Sequence, residues 1–304
     1  MKKIIPLMTA LAATSPLLGQ EADASSLSDF SFNLPQESFP AHFEVKARGY
    51  VTSNASFETP DVKGDEMNFG EGDISFGYNF PCGNDLAYSL AVGYQNTLFR
   101  WKDNPLFNTD YFNNGYLAVG VRYQDCDAWT FQAEVTGNID LNLLGSRSSL
   151  LFVAGYGRYA VNEYIGTSVG IITRSGIHDH KIWPIIGIDI QLPPKWSINI
   201  LYPTNLSVIY NMTSNWSLAV VGRIINTRHR LDSNDMNPDG IIQYRNWGGE
   251  FALNYQCAPI FNASLFAGYL THGDLVTSNF EDKGSTHYKL NPTPYVGASA
   301  SLRF

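Results

Sequence analysis

In the stretch HFEVKARGYV, from His42 to Val51, apolar and charged residues alternate without a break. Phe43, Val45, Ala47, Gly49 and Val51 fall on one face of an extended chain, and His42, Glu44, Lys46 and Arg48 on the other. A period of two is the signature of a strand with unlike surroundings on its two sides. The pattern returns along the chain. Leu86, Tyr88, Leu90, Val92 and Tyr94 alternate with Ala87, Ser89, Ala91, Gly93 and Gln95. Trp129, Phe131, Ala133 and Val135 alternate with Thr130, Gln132, Glu134 and Thr136, and Val296, Ala298, Ala300, Leu302 and Phe304 with Gly297, Ser299, Ser301 and Arg303. One such strand fits a half-buried soluble sheet. Repeated long strands of this kind predict an all-β fold, a transmembrane antiparallel up-and-down β-barrel with one face on lipid and the other on a lumen.

The connections support this fold. Short ones run from Pro81 to Asp85, Gln124 to Ala128, Val161 to Glu163, Leu192 to Lys195, Thr213 to Asn215 and Gln256 to Ile260. Between them lie longer polar ones, from Glu58 to Gly70, Phe99 to Asn114, Asp140 to Ser149, Ser175 to Lys181, His229 to Ile242 and Thr271 to Asn291, with a short exception from Pro203 to Asn205. Short periplasmic turns alternating with long external loops are the usual asymmetry of these barrels, so both termini are expected in the periplasm. The count is about 14 strands, or about 12 if the short hairpin around Pro203 does not pair. Aromatic residues flank the short turns: Phe80, Tyr123, Trp129, Tyr159, Tyr164, Trp196, Tyr210, Trp216, Tyr255, Phe261 and Phe304. They predict a girdle at the headgroup level.

Composition agrees. Of 304 residues, 13% are aromatic and only 16% charged, with 26 glycines, a mix that suits alternating strands better than packed helices. The formal net charge is −8 and no basic cluster is interleaved with aromatics, so nucleic acid is not an expected partner. Lys2 and Lys3, the apolar run Ile4 to Leu18 and Ala22-Asp23-Ala24 predict a secretory signal peptide over residues 1–24. The run is shorter than the roughly 20 residues of a spanning helix and is broken by Pro6 and Pro16. Residues 25–41 then form a periplasmic segment or a plug, carrying Phe30, Phe32, Leu34 and Phe39, and residues 42–304 the barrel. The terminal Phe304 resembles the signal that outer-membrane barrels present to the insertion machinery. With outer-membrane lipids, that machinery is an expected partner.

The segment from Trp196-Ser197-Ile198 to Pro203, then Tyr210, then Trp216-Ser217-Leu218 to Arg230, resembles an uncharacterised, porin-like family of bacterial outer-membrane barrels. The likeness covers about the last third of the chain. It implies a fold and a Gram-negative outer-membrane location, and it carries over no catalytic or binding residue.

Parity places thirteen charged residues inside the barrel: Glu44, Lys46, Arg48, Glu71, Asp73, Arg122, Glu134, Arg158, Arg174, Asp189, Arg223, Glu250 and Arg303. They form either charged rings that bias solute entry or cross-strand ion pairs that satisfy the wall, and the second is preferred for any single residue. Fourteen strands tilted by about 40° give a backbone radius of about 14 Å, too wide for side chains alone to fill. Inward Ala91, Gly93, Ala118, Gly120, Ser264 and Gly268 are expected to leave space for water or a plug. In the Phe99 to Asn114 connection, some of Phe99, Trp101, Phe107, Tyr111 and Phe112 are read as outer girdle, with an inward constriction or a binding face as the alternatives.

Asp232-Ser233-Asn234-Asp235 with Asn237 and Asp239-Gly240 is oxygen-rich but lacks the spacing of a calcium loop, and the two imidazoles of His178-Asp179-His180 are too close for a ready zinc site, so no metal or cofactor is predicted. No spacing of Ser, His and acid singles out a catalytic set, so an enzyme is not expected. Cys82, Cys126 and Cys257 all fall in short turns. Either Cys82 pairs with Cys126, or all stay reduced, or the odd count leaves a thiol for another envelope protein. Their placement resembles the disulfide-linked envelopes of some intracellular bacteria. The function expected is a porin-like channel for small hydrophilic solutes. The alternative is a structural or surface-exposed envelope protein with a plugged lumen, disulfide-linked to its neighbours.

Overall fold

A computed structural model of the chain describes residues 41–102, 104–125, 128–143, 148–203, 205–257 and 260–304. The predicted leader and all of the candidate plug except Ala41 lie outside these residues. Each alternating stretch is a strand: β1 (His42–Thr52), β2 (Ala55–Ser56), β3 (Glu66–Cys82), β4 (Leu86–Trp101), β5 (Tyr111–Asp125), β6 (Trp129–Asp140), β7 (Ser149–Ala160), β8 (Ile165–Gly176) and β9 (Asp179–Leu192). They continue as β10 (Trp196–Tyr202), β11 (Asn205–Asn211), β12 (Trp216–Arg230), β13 (Ile241–Cys257), β14 (Phe261–Leu270), β15 (Gly273–Ser278), β16 (Thr286–Leu290) and β17 (Thr293–Arg303). Every pairing is antiparallel. The sheet closes where β1 pairs with both β17 and β3, so no edge is left for lipid to solvate.

These segments make a closed barrel of 14 strands. The short β10 and β11 pair with each other from Trp196↔Tyr210 to Leu201↔Asn205, which removes the 12-strand alternative. The other three segments extend barrel strands. β15 continues β14 along β13, with Gly248↔Leu270 followed by Arg245↔Asp274, so one extra residue forms a bulge at Thr271-His272. β16 leads into β17 in the same register, Gly273↔Leu290 and Leu270↔Thr293, while β2 prolongs β1. Much of the connection expected from Thr271 to Asn291 is therefore strand, since Leu275, Tyr288 and Leu290 have an apolar interior to enter. The connection expected from Ser175 to Lys181 is a tight hairpin in which Ile177 and His178 take positive φ of 45° and 56°.

The molecule is inside-out relative to a soluble protein. Leu90, Val92, Leu117, Val119, Phe251 and Leu265 are exposed, while Gln95, Thr136, Asn138, Ser207, Glu250 and Asn254 are buried. No helix among the described residues is long and apolar enough to cross a membrane, which the strands do instead. At the short-turn end the rings stack into a belt, through Phe80–Tyr88, Tyr123–Phe131, Trp129–Tyr159, Trp196–Tyr210, Trp216–Tyr255 and Phe43–Phe304.

Candidate functional site: the lumen and its closed mouth

The inward faces carry polar side chains at the short-turn end and apolar ones at the loop end. Near the termini, Glu44 accepts a hydrogen bond from Arg303 Nε at 2.7 Å and lies 3.1 Å from Lys46 Nζ. Arg158 holds Asp189 through two bonds of 2.9 and 2.5 Å from β7 to β9. Glu134 accepts from Thr136 at 2.8 Å, and Arg122 shares the inward face of β5 with Tyr116. Halfway up, Arg223 forks onto Glu250 at 2.9 and 2.6 Å, and Tyr295 donates to the same carboxylate at 2.8 Å. The Arg223 guanidinium lies 5.2 Å from the ring centres of both Tyr50 and Phe266, and Arg48 lies 5.4 Å from Phe266. Tyr50 and Gln95 both donate to Glu71, and Tyr116 donates to Asp73. The charges expected inside thus group into local clusters of opposite sign. Arg174 stands apart, bonded to Asp179 at the loop end.

The inward tyrosines went unnoticed in the sequence because only charges were counted there. They change the reading of two glycines. A Cβ at Gly93 would sit 2.2 Å from the Tyr116 ring, and one at Gly268 would sit 2.5 Å from Tyr295, its cross-strand partner. The space these glycines were expected to leave open is filled by aromatic rings folded over bare backbone.

At the loop end the interior is largely apolar. Phe57, Met67, Phe69, Phe99, Trp101, Phe107 and Phe112 pack with Ile225, Leu231, Ile242, Tyr244, Leu275, Tyr288 and Leu290 in one buried cluster. Phe99, Trp101, Phe107 and Phe112 therefore do not belong to the outer girdle; they point inward, and only Tyr111 of that group is exposed. The segment was read as a loop, but β4 runs on to Trp101 and β5 begins at Tyr111, so Phe99, Trp101 and Phe112 sit on strands with inward parity and Phe107 packs against them from the connection.

The partners of these rings show how the mouth closes. Phe69 meets Tyr244 with centroids 4.5 Å apart, and Phe112 stacks on His229 at 4.4 Å. β5 and β12 lie on opposite sides of the barrel, seven steps apart either way round. A bore of about 28 Å is too wide for two side chains to bridge. The wall itself must come inward. The β11–β12 pairing ends at Leu206↔Gly222, but β12 and β13 stay paired to Arg230↔Ile241. Asn226 to Arg230 and Ile241 to Tyr244 are buried on both faces, as an arm folded across the mouth must be. The inner face of the arm meets β3–β5. Its outer face is latched by Arg228, which donates to the Ile177 carbonyl and pairs with Asp282 at 2.7 Å, and by Arg230, which pairs with Asp239 and lies 4.6 Å from the Phe280 ring centre.

The two candidate metal motifs serve this closure. Asp235 accepts from the Asn108 amide and Thr109 hydroxyl, both at 2.9 Å, and so ties two loops together. Asp179 pairs with Arg174 and Lys181, and His180 Nδ1 sits 2.9 Å from Ser175 Oγ. That Ser and His face each other while the neighbouring acid turns to an arginine, so the acid does not orient the imidazole as a catalytic triad requires. Burial raises the Asp179 carboxyl pKa, but Arg174 and then Lys181 more than offset it, and the net value falls below the ordinary one. His229 lies in the arm, beyond the spanning part of β12, and burial holds its imidazole down at about 3. Cys82 and Cys257 are exposed with free thiols, and Cys126 lies outside the described residues.

No family model matches the chain. It is similar to an uncharacterised protein of Chlamydia trachomatis serovar D, 24% identical over 278 residues that cover 86% of this chain and 87% of that protein. An uncharacterised protein of Chlamydia pneumoniae is 21% identical over 282 residues, covering 87% of this chain and 88% of its own length. The likeness thus extends well beyond the last third. Among solved structures, an outer-membrane channel of Pseudomonas putida F1 superposes with a TM-score of 0.50 at 10% identity, over 89% of this chain and 99% of that one. The chain has the fold of outer-membrane β-barrel channels and is similar along most of its length to uncharacterised chlamydial proteins.

Proposed function

We propose that this protein is a bacterial outer-membrane channel for small hydrophilic solutes, with its short turns and both termini in the periplasm and a mouth held shut by the β12–β13 arm. The observation that carries this is the lining of the lumen. Asn138, Asn205, Asn254, Asn262 and Ser264 each have a buried polar atom with no hydrogen-bond partner in the protein. Isolated buried groups of this kind are costly in a dry interior, and a set of them lining one bore is what a hydrated path requires. The ion pairs beside them balance the wall and leave no single-sign ring, so weak charge selectivity is expected. Recording the full-length protein in planar bilayers tests the proposal. Discrete openings with near-equal cation and anion permeability are expected. A barrel that stays silent even after the arm is removed, by replacing residues 226–245 with a two-residue Asn-Gly turn, sinks it.

A second reading is favoured by the cysteines. Cys82 ends β3 and Cys257 ends β13, four steps apart round the ring. That is about 20 Å along the wall, far beyond the reach of a disulfide of about 4.4–6.8 Å between Cα atoms. These two thiols cannot bond each other. In this reading the barrel is an envelope element linked to a neighbour from its short-turn rim, and a disulfide-bonded heavier species on non-reducing gels is its mark.

A further inference from the structure

Above the short β10–β11 hairpin the wall stops, and the outer face of the arm forms one side of a cavity of about 350 Å³. Tyr202 and Pro203 make its floor, Trp183 of β9 stands on one side, and Asn226, Arg245, Trp247 and Asp274 on the other. Asn226 pairs in register with Arg245, and Arg245 with Asp274, so the three form a row across β12, β13 and β15. Trp247 stands two residues along β13 from Arg245, on the same face.

The three side chains line the cavity and are fixed by their neighbours. Gln243 Nε2 donates to Asn226 Oδ1 at 2.6 Å, and Gln243 Oε1 accepts from Arg245 Nη2 at 2.8 Å. Those bonds leave Asn226 Nδ2 and Arg245 Nε, both buried, without a protein partner. His287 Nδ1 takes Asp274 Oδ2 at 2.9 Å, leaving buried Asp274 Oδ1 likewise without one. A tryptophan near a membrane boundary is explained by the aromatic belt alone. A row of amide, guanidinium and carboxylate side chains beside it, in a pocket with two further aromatic rings, is not.

We infer that this cavity binds a saccharide ring. Vicinal hydroxyls both donate and accept, and so match a lining of amide, guanidinium and carboxylate groups. The C–H faces of a pyranose lie against indole and phenol rings. A pocket of this size suits one or two sugar units. The sugar is either free in solution or the headgroup of a glycolipid, since the cavity opens at the loop end of the wall.

Calorimetry on the refolded full-length protein in a detergent without a sugar headgroup tests this, with maltose as the soluble probe. In a parallel arm the protein is reconstituted into phosphatidylcholine vesicles with and without a glycolipid. Saturable heat with a Kd of about millimolar or tighter is expected in at least one arm. Binding of maltose points to a free sugar, and binding in the glycolipid arm alone points to the membrane. Trp247→Ala and Arg245→Gln should each weaken it about tenfold or more, while retaining the heat-modifiable gel migration of a folded barrel. Neither side chain is deeply buried, so both variants are expected to fold. No saturable heat in either arm overturns the inference, as does binding that both variants leave unchanged. The readout involves no conduction, so its failure is separate from failure of the channel proposal.

Discussion

The Phe112 and His229 rings stack with an interplanar angle of 20°, although their strands stand on opposite sides of the barrel. That contact makes the mouth a closed element, and its loss is the simplest way to open it. Phe112→Ala removes a fully buried ring, a change that costs about 3–5 kcal/mol in packed cores. Open probability in planar bilayers is expected to rise several-fold, with unitary conductance little changed. Unchanged gating in this variant would show that the arm is fixed by other contacts.

Burial of His229 should make closure pH-dependent. His229 titrates at about 3 in the closed mouth, against about 6.5 when exposed. A depressed imidazole favours closure fully above about pH 6.5, and the advantage shrinks as pH falls toward 3, because the exposed ring takes up a proton that the buried one refuses. Openings should become more frequent between pH 6.5 and 4. In His229→Phe that slope should flatten.

Arg223 and Glu250 are buried together, and neither can lose the other cheaply. Glu250→Gln leaves a guanidinium uncompensated, at a cost of about 3–5 kcal/mol, whereas exchanging both for well-packed apolar residues is often close to neutral. Urea titration of the refolded barrel should show the single variant clearly destabilised. Equal midpoints for Glu250→Gln and the native chain would mean the pair is solvated rather than packed.

At Gly268 the argument is steric. A methyl group there would sit 2.5 Å from both the Tyr295 ring, which bonds Glu250, and the Gly249 carbonyl oxygen. Gly268→Ala should cost about 1–3 kcal/mol and be relieved only in part by a second change, Tyr295→Ala, because the Gly249 carbonyl stays in the way. A double-mutant cycle on thermal unfolding reads this directly, and simple additivity would count against the contact.

For the cysteines, Cys82→Ser and Cys257→Ser separate the two readings of the rim. If the protein is linked to a neighbour, the heavy band on a non-reducing gel of whole envelopes should disappear in one variant and persist in the other. A monomer band that reductant does not alter disposes of the linkage.

The period of two in stretches such as His42–Val51 was enough to establish an antiparallel barrel and its lipid-facing side, and the residues beside the short turns its aromatic belt. Those properties are local, because a residue's face follows from its parity and a turn from the residues in it. The pairing of β10 with β11 needed the structure only to choose 14 strands over 12.

The interior was legible as a set of inward charges but not as partners. Arg223 finds Glu250 across one ladder and Tyr295 three strands away, and nothing in the spacing of residues 223, 250 and 295 announces it. The mouth was hidden more deeply. Phe99 and Phe112 have the parity of inward residues, yet aromatic rings beside a loop also fit a belt, and whether they meet lipid or His229 depends on where the β12–β13 arm goes. The sequence by itself determined a closed, amphipathic wall, because strand alternation and backbone satisfaction are local requirements. Only the tertiary structure decided that the wall folds over its own lumen, because that depends on β11 starting only at Asn205 while β12 and β13 run on past it, and on apolar faces that bury each other across the bore.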